Sequence, residues 1–263
     1  MKIDLSDKTA LVSGSTAGIG LAIAKGLAVA GAAVIVNGRK PATVEKAVAA
    51  VKAAGGGSVR GIAADVSTAD GCAKLAKESG AVDILVNNAG IFEPKAFFEI
   101  PDSDWTRFFD TNVMSGVRLS RALMPGMLQR NWGRIVFISS ESGINIPKEM
   151  IHYGFTKTAQ LAVARGLAEM TAGTNVTVNS VLPGPTRSDG VEDFLQAMAR
   201  DNKTTPDAMA ATFVKTFRPT SLIERFASVE EVANMVVYAC SKEASATNGA
   251  ALRVEGGLLR SIA

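Results

Sequence analysis

Histidine is nearly absent from this chain: one residue, His152, in 263. Cysteine is almost as scarce, with Cys72 and Cys240 alone. Neither number nor spacing supplies a histidine–cysteine metal centre or a disulfide framework, so no metal is expected. Both thiols read as reduced, as in a cytoplasmic protein. An excess of one charge is lacking too, since 28 basic residues face 25 acidic ones for a formal net charge of +3. That balance offers no broad positive field to a phosphate backbone, and no nucleic-acid partner is expected. No apolar run approaches the roughly 18 residues of a membrane span; the longest, 26–38, is shorter and punctuated by glycine. Asp4 and Asp7 stand where a signal peptide carries basic residues. Neither membrane insertion nor secretion is expected. A Gly-x-Ser-x-Gly elbow is missing, which leaves His152 without a nucleophile to serve and excludes serine-hydrolase chemistry. His152 then either lines a substrate pocket or fills space.

What the chain does have is 47% hydrophobic residues against 20% charged ones, enough for a sizeable core. Short β-branched runs at 9–13, 33–37, 59–63, 82–87, 134–139, 175–182 and 251–254 alternate with helical patterns at 19–30, 41–54, 104–130 and 153–172. That alternation is the mark of βαβ units. Several runs are apolar at consecutive positions, as strands covered on both faces are. Ser228 with Glu231 three residues later forms a capping-box pattern ahead of Val232, Met235, Val236 and Ala239 at helical spacing. No repeat or low-complexity linker interrupts the pattern, so 1–263 reads as one doubly wound α/β domain. The segment 186–225 breaks the alternation, with helices at 191–200 and 206–217 and no convincing strand. It follows a strand's carboxyl end, where open α/β sheets bind ligands, and reads as a helical lid. Phe194, Leu195, Met198, Met209, Phe213 and Phe217 make it apolar and hint at a hydrophobic substrate.

The first strand runs into Ser13-Gly14-Ser15-Thr16-Ala17-Gly18-Ile19-Gly20 and then a helix. Glycines there permit a tight turn, and the helix offers free N–H groups and partial positive charge to a pyrophosphate. The spacing is G-x-x-x-G-x-G, without the Lys-Ser/Thr pair of a P-loop, which argues against ATP or GTP. After the second strand comes Asn37-Gly38-Arg39-Lys40, two cations with no acid. NAD-preferring folds place an acid about 20 residues past the glycines to hold the ribose hydroxyls. Arg39 could instead pair with a 2′-phosphate, which points to NADP(H) with NAD(H) as the alternative.

Tyr153 and Lys157 are four apart in a helical pattern and share a face. A nearby ammonium favours the phenolate and would bring the phenol towards the working range of an acid or base. Ser140 ends the preceding strand, where a hydroxyl could polarise a carbonyl. Asn112 sits within a long helical pattern that disfavours asparagine, through either a functional role or a helix irregularity.

Taken together, Ser13–Gly20, Asn87-Asn88-Ala89-Gly90, Asn112, Ser140, Tyr153-Gly154-Phe155-Thr156-Lys157 and Pro183-Gly184 resemble the short-chain dehydrogenase/reductase family in order and spacing, from Lys8 to Gly257. The resemblance implies a Rossmann-like fold with a seven-stranded parallel sheet, and hydride transfer between a nicotinamide and a carbonyl or secondary alcohol. It implies that Tyr153 transfers the proton and Ser140 holds the substrate oxygen. Lys157 would bind the nicotinamide ribose and acidify Tyr153, while Asn112 would anchor a water linking Lys157 to solvent. Gly14, Ser15, Gly18, Ile19 and Gly20 would meet the pyrophosphate region, and Arg39 the ribose. Asp65 and Val66 would flank the adenine, with Asn87, Ala89 and Gly90 along the adenosine half. Pro183, Gly184 and Thr186 would lie near the carboxamide. A homotetramer or dimer is implied as well. Some departures stand out: Ser13 replaces a frequent threonine, Thr186 comes early with Ser188 behind it, Glu255 stands where aspartate is common, and the helix 70–79 looks truncated. A non-catalytic dinucleotide-binding sensor or scaffold is the alternative, and it would bind NADPH without turnover.

Overall fold

The computed structural model describes residues 2–262. Among these the strands are β1 (Thr9–Val12), β2 (Ala33–Gly38), β3 (Val59–Ala63), β4 (Ile84–Asn87), β5 (Gly133–Ile138), β6 (Val176–Pro183), β7 (Thr186–Arg187), β8 (Ala227–Ser228) and β9 (Ala251–Val254). All except β7 and β8 form one parallel sheet in the order β3-β2-β1-β4-β5-β6-β9. The chain winds outward from β1 to β3, returns to the centre and winds outward again from β4. The reversal leaves a crevice beyond the carboxyl ends of β1 and β4, where the connecting segments diverge.

The helices are α1 (Gly18–Val29), α2 (Pro41–Ala54), α3 (Ala69–Ser79), α4 (Asp102–Phe108), α5 (Ser115–Gln129), α6 (Ile151–Glu169), α7 (Asp189–Asp201), α8 (Pro206–Phe217) and α9 (Val229–Ala239). Their packing explains why the strands lack polar alternation. In β1, Ala10 and Val12 join one buried cluster with α1, α2 and α9, whereas Leu11 joins the cluster on the other face with α3, α5 and α6. Burying such an aliphatic side chain contributes about 1.5–3 kcal/mol, so strands covered on both faces favour an apolar residue at each position.

All seven expected strands occur in the main sheet. Two expectations need correction. The segment 186–225 does contain a strand: β7 pairs in parallel with β8 through Thr186↔Ala227 and Arg187↔Ser228, a ladder too short to leave a periodic signal. The expected single helix 104–130 is three pieces, with a π-helical segment, Phe109–Met114, between α4 and α5. The helix expected at 70–79 forms as α3 and is capped by Thr68, whose hydroxyl accepts from Gly71 N at 3.0 Å. The Ser228–Glu231 capping box forms as expected, at 3.2 and 2.8 Å.

Candidate active site

The β1–α1 turn is built by its neighbours as much as by its glycines. Gly14 and Gly18 take φ of 61° and 54°, and a Cβ on Gly14 would lie 2.9 Å from Ala89 Cα, so the β4 loop can close on the turn only if that position is bare. Ser13 Oγ accepts from Asn88 N and Ala89 N, and Asn88 Nδ2 donates to Ser13 O and Gly14 O. Ser15 and Asn37 are occupied structurally. Ser15 Oγ donates to Val12 O and accepts from Asn37 N, and Asn37 Oδ1 accepts from Gly14 N. Helix α1 begins with no side-chain cap and no acid in its first turn. Its Gly18 N–H donates instead to Asp189 of α7 at 2.8 Å, so a carboxylate has settled where the amides and macrodipole favour an anion. Gly14, Gly18, Ile19 and Gly20 therefore fit a pyrophosphate.

A cavity of about 490 Å³ opens beyond β4, β5 and β6. Eight of the expected site residues line it: Ile19, Gly90, Ser140, Tyr153, Lys157, Pro183, Gly184 and Thr186. Thr186 and Ser188 both face it, and Thr186 Oγ1 donates to Gly184 O at 2.9 Å. Phe194, Met198, Phe213 and Phe217, from α7 and α8, cover its other side. Arg39, Asp65 and Val66 lie away from this cavity. Arg39 is exposed just past β2, next to the end of β3, where Ala64 N donates to Gly38 O. Asp65 is exposed and accepts from Ser67 N and Oγ, whereas Val66 belongs to the core. Asn87 is buried, with Nδ2 donating to Ser120 Oγ at 3.1 Å.

The expected catalytic set is joined by hydrogen bonds. Lys157 is 4% exposed, and its Nζ donates to Ile138 O at 2.9 Å and to Gln160 Oε1 at 3.1 Å. Gln160 Nε2 donates in turn to Asn112 O at 2.6 Å. The Asn112 side chain clamps Ile91, accepting from its N at 2.8 Å and donating to its O at 3.0 Å, and also donates to Thr156 Oγ1. Asn112 thus stands behind the cavity wall, and Gln160, which the sequence reading passed over, couples it to Lys157. The ammonium lies 5.5 Å from the centre of the Tyr153 ring. Burial pushes Lys157 down to about 7, opposed by the charge of Glu141.

Tyr153 differs from the expectation that the ammonium acidifies it. Burial pushes the phenol above its ordinary value, Glu141 adds to that rise, and a hydrogen bond with Ser140 and the charge of Arg218 pull it back. Ser140 donates to Glu141 Oε2 and accepts from Ser142 N at 3.1 Å. Glu141 and Arg218, also missed by the sequence reading, form an ion pair at 2.9 Å, with side chains 6% and 8% exposed. His152 fills space: its ring centre lies 4.1 Å from that of Phe108, and its nitrogens have no hydrogen-bond partner among the described residues.

The family model described as short chain dehydrogenase matches residues 8–199. The chain belongs to this family. It is 49% identical to the uncharacterized oxidoreductase YvaG of Bacillus subtilis (strain 168) over 263 residues, all of both chains. The crystal structure of L-sorbose reductase from Gluconobacter frateurii, complexed with NADPH and L-sorbose, matches with a TM-score of 0.95 at 32% identity, covering 100% of each chain. A 3-oxoacyl (acyl-carrier-protein) reductase from Agrobacterium tumefaciens C58 with NADP bound matches with a TM-score of 0.87 at 30% identity, over 97% of this chain and 95% of that one. This short-chain dehydrogenase is an oxidoreductase of the alcohol–carbonyl type with a dinucleotide-binding fold. No helix among the described residues is long and apolar enough to cross a membrane.

Proposed function

We propose that this chain is a cytoplasmic, homo-oligomeric NADP(H)-dependent reductase of uncharged carbonyl compounds, or dehydrogenase of the matching secondary alcohols, with Tyr153 as general acid and base. The carrying observation is that Ser140, Tyr153 and Lys157 converge on one cavity beyond β4–β6, beside a glycine turn and a helix start that favour an anion. The bound dinucleotide supplies or accepts the hydride.

The chain's own groups do the rest. Amides at the start of α1 hold the pyrophosphate, and Arg39 pairs with the 2′-phosphate. Lys157, held by Gln160 and Ile138 O, binds the nicotinamide ribose. Ser140 steadies the substrate oxygen and Tyr153 gives it a proton, or takes one in the reverse direction. Residues 186–225 act as a lid, where Phe194, Met198, Phe213 and Phe217 exclude water and meet an apolar substrate body. Glu141, Glu149 and Arg218 on the cavity wall sum to one negative charge, which a charged Lys157 cancels, so the wall offers a substrate carboxylate no excess of positive charge.

The test is NADPH oxidation against a panel of hydrophobic ketones, ketoses and keto acids, with parent and Tyr153→Phe enzyme. Hydrophobic ketones should be turned over fastest, and Tyr153→Phe should lose at least about 100-fold in kcat, the scale of general acid–base catalysis, with its NADPH dissociation constant nearly unchanged. Binding of NADPH without turnover of any carbonyl would favour the sensor reading, and undiminished activity in Tyr153→Phe would remove the proton-transfer role.

A further inference from the structure

Beside Ser140 and Tyr153 the cavity holds a polar cluster that takes no direct part in the proton transfer above. Glu141 Oε2 accepts the Ser140 hydroxyl, Ser142 N at 2.7 Å and Ser142 Oγ at 3.0 Å. Its Oε1 accepts from Arg218 Nε at 2.9 Å. Arg218 is the residue that ends α8, and its Nη1 also donates to Glu149 Oε1 at 3.2 Å and to Phe217 O at 2.8 Å. Glu141, Glu149 and Arg218 all line the cavity.

A buried ion pair is a weak stabiliser compared with hydrocarbon of the same volume, because two charges must be desolvated. What this pair does that hydrocarbon could not is fix a proton. An ionised carboxylate only accepts hydrogen bonds, so Ser140 turns its hydrogen towards Glu141, and the hydroxyl reaches a substrate oxygen or the Tyr153 phenolate only by giving up that bond. We infer that Glu141, held by Arg218 just past α8, is a positioning residue that holds the Ser140 hydroxyl and sets the charge beside Tyr153, and so tunes proton transfer. The inference rests on the function proposed above.

The two charges act on the phenol with opposite sign, Glu141 disfavouring the phenolate and Arg218 favouring it. The groups facing Tyr153 are therefore Ser140 and Glu141 just past β5, Arg218 just past α8, with its second partner Glu149, and Lys157 on its own helix. Glu141→Gln removes one charge and leaves Arg218 paired with Glu149. The phenol should then ionise at lower pH. Replacing Arg218 as well, in Glu141→Gln/Arg218→Met, removes the opposing charge and should move ionisation back up.

Two measurements read this. In the alcohol-oxidising direction, where Tyr153 must be ionised, the acid limb of the kcat–pH profile should fall by about one pH unit in Glu141→Gln, the lower end of shifts caused by a charge within about 4–6 Å. The double variant should return towards the parent. The second measurement needs no turnover. The chain has two tyrosines, so in a Tyr238→Phe background the ultraviolet phenolate signal reports Tyr153 alone, and its onset should come at lower pH with Glu141→Gln than without it. A merely structural pair would lower thermal stability and leave both the limb and the onset in place; that result would overturn the inference. If the parent reduces no carbonyl, the function proposed above fails. The phenolate titration then still decides the Glu141 coupling.

Discussion

The ammonium of Lys157 is enclosed, with a backbone carbonyl and a side-chain amide as its hydrogen-bond acceptors, and burial holds its pKa near 7. The unfolded chain returns that group to its ordinary value of about 10.4. Between the two values the unfolded state binds the proton more tightly, so this residue makes stability rise with pH through that window and contributes no further change below it. From pH 7 to 9 the rise amounts to about 2 kcal/mol. Above about pH 9 the buried thiols Cys72 and Cys240, pushed up to about 11 and about 12, work in the opposite direction, because the unfolded chain ionises them first. Chemical denaturation at pH 7, 8 and 9 should show the rise in the parent and its loss in Lys157→Met. Parallel curves would mean that Lys157 is charged throughout. At the other end of the crevice, Arg39 is exposed and no acid stands beside it in Asn37-Gly38-Arg39-Lys40. Arg39→Asp should weaken NADPH binding on the order of 10- to 100-fold relative to NADH, the value of about 1.5–3 kcal/mol for a charged hydrogen bond. Fluorescence titration with both dinucleotides checks it. Residues of this kind were legible in the sequence because type and spacing mark them: Tyr153 with Lys157 on one helix face, glycines where a strand meets a helix. Glu141 and Arg218 are 77 residues apart, and only the fold brings them together. Gln160 was within reach, three residues past Lys157 on the same face, but glutamine on a helix carries no distinctive signal.

At the scale of the element, the long pattern at 104–130 shows what periodicity hides. No glycine or proline lies in α4 or in Phe109–Met114, and Gly116 and Pro125 come only within α5, so the residues of the wider turn do not announce it. The reason for it is tertiary: Asn112 must reach both polar groups of the Ile91 backbone, and a π-type turn re-aims one side chain without ending the helix. The poor helical propensity of asparagine was the one local hint. The contact between α7 and α1 is equally invisible along the chain. Asp189 occupies the Gly18 N–H that a pyrophosphate would also seek, and the two anions compete for one partial positive charge. A carboxylate in this position stabilises a helix start by about 0.3–1 kcal/mol. Asp189→Asn should therefore tighten NADPH binding about 2- to 5-fold, measured by calorimetry. Weaker binding in the variant would mean that Asp189 supports the cofactor site instead of competing for it.

For the whole molecule, the parallel pairing of strands and the two-sided burial of the sheet could be anticipated because every strand–helix alternation repeats one right-handed unit, whereas the outer surface obeys no such rule. Phe109, from the π segment, and Phe155, on α6, are 37% and 46% exposed and stack with ring centres 6.3 Å apart. Trp105 of α4 meets Phe155 edge-on at 5.9 Å. Phe97 and Phe98, on the short turn before α4, are 49% and 97% exposed. A monomer seldom leaves aromatic groups clustered in water, and two rigid helices presenting stacked rings make a surface that a second copy of the same chain can cover by two-fold symmetry. Light scattering coupled to size exclusion should give a mass of two or four times 27.3 kDa. The pair Phe109→Glu and Phe155→Glu places two carboxylates per chain at that surface, where desolvating them opposes association, and should reduce the mass towards a single chain while leaving the far-ultraviolet spectrum intact. A parent that already elutes as one chain at micromolar concentration would show that these rings are simply exposed, and the homo-oligomer would have to be abandoned.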